Sequence, residues 1–391
     1  MNILLIHPHD IYSVSEPWTR RIKSIADELV KKGHSVRLAY FSLSRKENDL
    51  RPHFLNGYEI FPLNRYVSPL VFLKNTSRLI KLAAWSDIVH FQKCHHYAAL
   101  PAVIAAYFNK KHLHYDWDDW EEMIWYESCG LGLNSRFIGF SFRVLERFLP
   151  VLSDTVSVAS EHLEKLALSF GVKKENLFPA PVGADLEQFN PTVDGSKIKV
   201  AYKITGLLVL YIGQLHGAQH IDLFIQAANE VLRVNSNVFF MIVGEGFMEG
   251  GLRKLAVDLG IGDKIIFTGA ITHQRIPEFI AASDICVASF RDTPVTRCKS
   301  PLKIVEYLAS GKAIVASNVA EARRMVGGAG LLVSPGNFYD LADGIVRLLG
   351  DEVLRNCLGK FARRRAERRY NWTVTAASLI SAYRKGNNGL N

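Results

Sequence analysis

Short aliphatic and β-branched runs alternate with amphipathic helical stretches along almost the whole chain. That is the pattern a parallel sheet joined by crossover helices requires. In the first half the runs are Ile3–Ile6, Val36–Phe41, Ile88–Phe91, His112–Tyr115 and Thr155–Ala159. The pattern then restarts with Leu207–Ile212, Val238–Val243, Ile265–Phe267, Ile285–Ser289, Ala313–Ala316 and Leu331–Val333. The clearest helix follows Pro17, because Trp18, Ile22, Ile25 and Leu29 share one face and Lys31-Lys32-Gly33 close it. The expected fold class is α/β: two doubly wound, Rossmann-like parallel-sheet domains, for which 391 residues are enough.

The segment from Phe178 to Gly206 is rich in Pro, Gly and Asp, lacks a period and reads as the linker. We expect an N-terminal domain over residues 1–185 and a C-terminal one over 186–370. The halves share architecture without sharing sequence. Two such domains imply a cleft between them, with chemistry in the loops that follow the strands.

Composition excludes several classes. Hydrophobic residues make up 48% and charged residues 22%, too apolar for a disordered chain. The longest apolar runs fall far short of the ~20 residues of a membrane span. The first residues, MNILLIHPHD, lack a basic leader, so a cytoplasmic protein is expected. Cys94, Cys129, Cys286, Cys298 and Cys357 lie far apart without a CxxC, as reduced thiols would. The formal charge of +9 fits anionic substrates, an anionic membrane surface or nucleic acid. The basic run Lys360 to Arg369 reads first as a solvated helix face.

The richest segment is CKSPLKIVEYLASGKAIVAS, from Cys298 to Ser317. Ser300 is a suitable N-cap and Pro301 a suitable first helical residue, so a helix is expected to open here and stop at Gly311. Its N–H groups and dipole suit a phosphate, and Lys299 and Lys303 add charge. Glu306, one turn beyond Lys303, suits ribose hydroxyls.

This segment resembles the retaining family 4 glycosyltransferases of GT-B fold, as do LVLYIGQL (208–215), FFMIVGEG (239–246), IIFTGAI (265–271) and RRYNWTV (368–374). GHSV (33–36), SDIVHF (86–91) and VGADLEQFNP (182–191) extend the likeness over nearly the whole chain, and the SPLK-type segment resembles that of a subset of the family. The resemblance implies transfer of a sugar from a UDP-, GDP- or ADP-linked donor to a glycan, lipid-linked or small-molecule acceptor, in a polysaccharide-type setting. It implies retained configuration and no cofactor or obligatory metal. It places the donor on the C-terminal domain, with Gly213 and Gln214 near the diphosphate, Gly244, Glu245 and Gly246 along the donor side, and Ile271 at the base. Ser300, Pro301, Lys303, Ile304 and Val305 would hold phosphate and Glu306 the ribose. Residues 371–391 would form a helix crossing back to the N-terminal domain.

Three positions depart from the family pattern. Cys298 stands where the first of two spaced glutamates belongs, and Gln214 and Gln219 stand where an arginine and a lysine belong. Arg297, Lys299 and Lys303 are the expected replacements for the lost charge. Lys303 and Glu306 are accordingly counted as catalytic.

In the first half, HLHYDWDDWEE (112–122) follows a strand and sets five acids and two tryptophans close together. It reads as a sugar platform or as an exposed acidic loop anchored by its tryptophans. Asp116 and Asp118 fall near the family's catalytic histidine and are the catalytic candidates, while Trp117, Trp120 and His9 are acceptor-side candidates. Asp116-Trp117-Asp118 also spells a metal-binding DxD, but the architecture is wrong for it. His90, His95 and His96 cluster near Lys93 without ligand spacing, so loop histidines are preferred over zinc ligands. After the first strand, Ser13, Ser15, Glu16, Pro17 and Trp18 replace the usual glycines, and Arg20 and Arg21 open a helix whose dipole disfavours them unless an acid pairs with them.

RFIGFSFRVLERFLPVL (136–152) fits a packed helix, the simpler reading, and also a membrane-surface helix making peripheral contact with anionic lipid. A nicotinamide oxidoreductase is disfavoured because HPHDIY, without GxGxxG, follows the first strand. No nucleic-acid-binding module is present. The remaining alternatives are a non-catalytic glycosyltransferase-like subunit and a GT-B-like sugar-nucleotide epimerase.

Overall fold

The computed structural model describes residues 1–13, 19–44, 50–66, 68–129 and 132–387. The chain divides into two compact units, Met1–Pro181 with Trp372–Asn391 and Val182–Asn371.

The first unit carries β1(Asn2–His7), β2(Ser35–Ser42), β3(His53–Leu55), β4(Tyr58–Asn64), β5(Ile88–Gln92), β6(His112–Trp117), β7(Thr155–Val158) and β8(Leu177–Pro179). Their order in the sheet is β3-β4-β2-β1-β5-β6-β7-β8, parallel except for the β3–β4 hairpin. Its helices are α1(Arg20–Lys31), α2(Pro69–Trp85), α3(His96–Phe108), α4(Glu121–Cys129), α5(Leu133–Leu152), α6(Glu161–Ser169) and α16(Trp372–Asn387). Ile3, Leu5 and Ile88 bury against Ile22, Ile25 and Leu29 of α1 and Leu379 of α16. Of the expected first helix, Pro17 and Trp18 lie outside the described residues.

The second unit carries β9(Leu207–Ile212), β10(Val238–Val243), β11(Ile265–Phe267), β12(Ile285–Ala288), β13(Ala313–Ser317) and β14(Gly330–Val333), all parallel in the order β11-β10-β9-β12-β13-β14. Its helices are α7(Ser196–Ala201), α8(Ile221–Val234), α9(Glu249–Asp258), α10(Ile276–Ala282), α11(Pro294–Cys298), α12(Leu302–Ala309), α13(Ala320–Val326), α14(Phe338–Gly350) and α15(Glu352–Arg369). Leu208, Leu210 and Ile212 enter one core while Val209 and Tyr211 enter the other. Burial on both faces accounts for the unbroken apolar runs of these strands.

Three expectations are corrected. The segment 178–206 is not a bare linker: it contains the end of β8 and helix α7, and the unit boundary falls at Pro181. Strands β3 and β4 add to the expected set: β3 is only three residues long, and β4 carries Pro62, which cannot donate to the ladder. The basic run on α15 is also more than a solvated face. Arg363 donates to the carbonyls of Phe189 at 2.9 Å and Ala309 at 2.8 Å, and Arg365 to that of Met325 at 2.6 Å, so both guanidiniums satisfy loop and helix-end acceptors.

Candidate active site

In the second unit the strand order reverses between β9 and β12. A cluster of polar groups gathers where the first of these strands ends, the place where open α/β sheets hold ligands. Gly213 leaves β9 with φ +151°, and a Cβ there would meet the Lys303 Nζ at 2.7 Å. Gly244 leaves β10 with φ +141°, and a Cβ there would strike the Gly213 carbonyl at 2.0 Å. The two loops are zipped together by Gly213 N to Val243 O at 3.0 Å and Leu215 N to Glu245 O at 2.9 Å. Only glycine permits both the dihedrals and the approach. Gly246 is held likewise, since a Cβ would lie 2.3 Å from the Leu215 carbonyl.

Lys303, in the first turn of α12, is buried beneath these loops. Its Nζ lies 3.9 Å from the centre of the Tyr211 ring and donates to Gln219 Oε1 at 3.3 Å. Burial, and then the charge of Lys299, draw its pKa well below the usual lysine range against the pull of Glu306. Among the described residues no carboxylate lies within ion-pair distance of this ammonium, which leaves it able to receive an anion. One turn on, the buried Glu306 accepts from His273 Nε2 at 2.7 Å. His216, pressed by burial and by Lys299 and Lys303, has its pKa lowered to about 4 and is a neutral imidazole.

Several donor-side expectations are revised. Pro301, not Ser300, is the N-cap of α12, because the Ser300 hydroxyl instead accepts the Val182 N–H at 3.3 Å. Ile304 and Val305 are core residues, and the Ile304 N–H is already bonded to the Pro301 carbonyl at 3.1 Å, so Ile304 offers no donor to phosphate. Arg297 is exposed and held by Asp292 at 2.6 Å. Gln214, Lys299 and Ile271 are half-buried and Glu245 is exposed. Tyr211, His216 and His273 were missed. Tyr211 was hidden inside an apolar strand run, and His273 follows Ile271-Thr272 with no period to mark it.

In the first unit the order reverses between β1 and β5, and a second cluster forms at those strand ends. Lys93, with φ +64°, places Nζ 3.3 Å from Asp118 Oδ1, 3.2 Å from Asp119 Oδ2 and 2.5 Å from Glu121 Oε1. These three carboxylates could together hold a metal ion, yet the ammonium stands among them. Burial opposes the charge on Lys93, but Asp118, Glu121 and Asp119 outweigh it and hold the pKa well above the usual range. Burial pushes Asp118 up to about 7, with Lys93 opposing. Gln92 bridges this cluster to the first strand, donating to Asp118 Oδ2 at 2.7 Å and meeting His7 Nδ1 at 2.8 Å.

Asp116 is corrected from catalytic candidate to internal anchor. It is fully buried on β6, paired with Arg21 through Nε–Oδ2 at 2.8 Å and Nη2–Oδ1 at 2.7 Å, and receives the Ser157 hydroxyl at 2.5 Å. Burial alone would raise its pKa, but Arg21 holds it below the usual carboxylate range. This pairing answers the opening of α1 with arginines. Trp117 is corrected too: β6 runs two residues past the expected end and turns the indole inward, 1% exposed, against Tyr115 and Phe170. Trp120 is half-buried with its ring 6.0 Å from His162, and His9 is nearly covered, 4.8 Å from the His95 ring. His90 meets Tyr383 of α16 at 2.7 Å as a buried loop-and-strand histidine.

A model described as "Glycosyltransferase Family 4" matches residues 19–188, and one described as "Glycosyl transferases group 1" matches residues 206–351. An alpha-D-kanosaminyltransferase from Streptomyces kanamyceticus is 27% identical over 180 residues, covering 46% of this chain and 45% of its own. The matched stretch spans about half the length of the curated relatives. Among solved structures, sucrose-phosphate synthase from Thermosynechococcus elongatus superposes with a TM-score of 0.77 at 18% identity over 100% of both chains. Anabaena HepE, in complex with UDP and glucose, does so with a TM-score of 0.74 at 18% identity, covering 97% of this chain and 98% of its own. Two sheets of these orders, glycine-lined strand ends over a buried lysine and both family matches agree: the chain belongs to family 4 of the glycosyltransferases, with the GT-B fold.

Proposed function

We propose that the protein transfers a sugar from a nucleoside-diphosphate sugar to an acceptor hydroxyl, with retention and without a metal. The observation that carries this reading is the placement of Lys303 and Glu306 one helical turn apart, at the strand ends where Gly213 meets Lys303 and Gly244 packs on Gly213. The diphosphate lies against Gly213 and draws on the Lys303 ammonium. Charge grows on the leaving phosphate in the transition state, so a fixed cation there lowers the barrier more than it strengthens ground-state binding. Glu306, oriented by His273, accepts from ribose hydroxyls. The UDP held by HepE supports a nucleoside-diphosphate donor. With Cys298 in place of the family's first glutamate, Lys303 and the backbone carry donor recognition. In the first unit Asp118, whose proton equilibrium lies near neutrality, is the acceptor-side candidate.

Calorimetric titration with UDP, GDP and ADP, run beside Lys303→Ala, tests this reading. One nucleotide should bind and lose most of its affinity in the variant. Absence of binding by all three would favour a non-catalytic subunit. Activity that survives EDTA is expected; loss restored by a divalent cation would overturn metal independence.

A further inference from the structure

In the first unit α2 packs along α3, and the end of α3 meets the end of α5. Asn109, at the end of α3, donates to the Ile80 carbonyl of α2 at 2.9 Å, and the Tyr107 hydroxyl of α3 donates to the Leu152 carbonyl of α5 at 3.2 Å. Their outer faces are unusually apolar. Leu70 of α2 is 80% exposed, Phe108 of α3 is 72% exposed, and Phe137 and Phe140 of α5 are 76% and 57% exposed. On α3 the exposed positions Leu100, Ile104, Tyr107 and Phe108 form a single stripe. So many exposed apolar side chains on neighbouring elements mark a contact with another body.

Charge identifies that body. The three helices hold six Lys and Arg residues and a single carboxylate, Glu146. Glu146 is buried and accepts the backbone N–H groups of Glu121 at 2.7 Å and Glu122 at 3.2 Å at the start of α4, so it takes no part in the surface. Lys74 and Lys81 on α2, and Arg136 and Arg147 on α5, are exposed. A protein partner would ordinarily be met with both signs of charge. Exposed aromatics interleaved with bases and free of acids match a bilayer interface, where rings enter the headgroup boundary and bases meet phosphates. No helix among the described residues is long and apolar enough to cross a membrane, so the contact is one of surface docking.

We propose that the α2–α3–α5 face docks on an anionic lipid bilayer, with Phe108, Phe137 and Phe140 entering the interface and Lys74, Lys81, Arg136 and Arg147 against the headgroups. This inference is independent of the donor reading, and its test keeps the two apart. The full chain is sedimented with phosphatidylcholine vesicles, with and without phosphatidylglycerol, at low and high salt. We expect at least a fivefold larger bound fraction on the anionic vesicles, reduced by salt. The double variants Phe137→Ser/Phe140→Ser and Lys74→Glu/Lys81→Glu should each fall to the level seen on phosphatidylcholine, with melting temperature and nucleotide affinity unchanged. Equal binding of the wild type to both vesicles, or none to either, would overturn the proposal. So would a dimer in vesicle-free solution that the phenylalanine variant abolishes, which would make a second copy of the chain the occupant.

Discussion

The Lys303 ammonium lies 3.9 Å from the centre of the Tyr211 ring, which with the Gln219 amide oxygen at 3.3 Å supports the charge in place of a carboxylate. A cation held this way keeps its attraction for an incoming phosphate, because among the described residues no carboxylate lies within ion-pair distance of it. Replacing Lys303 with alanine should remove a charge-assisted contact of about 1.5–3 kcal/mol, a loss of roughly 10- to 100-fold in nucleotide affinity by calorimetry.

The same lysine predicts a pH dependence of binding. Its pKa is depressed in the free protein, and a bound diphosphate would raise it. Affinity should therefore be constant below the free-state value and fall as pH rises through it. Titrations in buffers of different ionisation enthalpy should show proton uptake on binding in that window, and Lys303→Ala should show none.

Gly213→Ala would set a methyl group 2.7 Å from the Lys303 Nζ at a φ of +151°. Its flexible neighbour can move, so the fold should survive while nucleotide affinity drops at least tenfold. Gly244→Ala meets a backbone carbonyl at 2.0 Å, which cannot yield as easily, and should lower stability as well. Paired thermal melts and titrations distinguish the two outcomes.

Arg21 and Asp116 form a buried ion pair in which neither partner can reach water. Asp116→Ala leaves the guanidinium uncompensated and should cost about 3–5 kcal/mol in urea denaturation, whereas Arg21→Met with Asp116→Leu should recover much of the loss. Arg21 Nη2 also donates to the Ala180 carbonyl at 2.8 Å, and failure of the double variant to recover would mean that this bond and that of Ser157 matter more than the charge.

Asp116 and Asp118, two residues apart, should affect stability with opposite pH signs. The Asp116 pKa is held below its unfolded value of about 3.9, so its contribution is present above that pH and is lost as pH falls through the folded value. The Asp118 pKa is raised to about 7, so its contribution is full below about pH 4 and is lost as pH rises through 7. Asp118→Asn should flatten the decline in stability between those limits.

What the sequence discloses follows from where its signals reside. Strands β9, β10 and β11 are read to the residue because burial on both faces leaves no polar interruption. The donor cluster is legible in Gly213, Gly244, Lys303 and Glu306 because close approach and charge demand those residue types. The acidic segment misleads at Asp116 and Trp117. Acids and tryptophans so dense look like a loop, and only tertiary structure supplies Arg21 from α1, 95 positions away, to neutralise Asp116 on a buried strand. His273 meets Glu306 only through the fold, so no local pattern could announce it.

Helix α16 belongs to the first unit although the 190-residue stretch Val182–Asn371 intervenes. Its Tyr383 hydroxyl supplies the partner of His90, and its Leu379 fills the core beside α1. The second unit is therefore continuous in sequence and can complete itself while the chain is still leaving the ribosome. The first unit must wait, with part of its sheet uncovered, until α16 has been synthesised. Vectorial synthesis thus makes the unit that emerges first the later of the two to become whole.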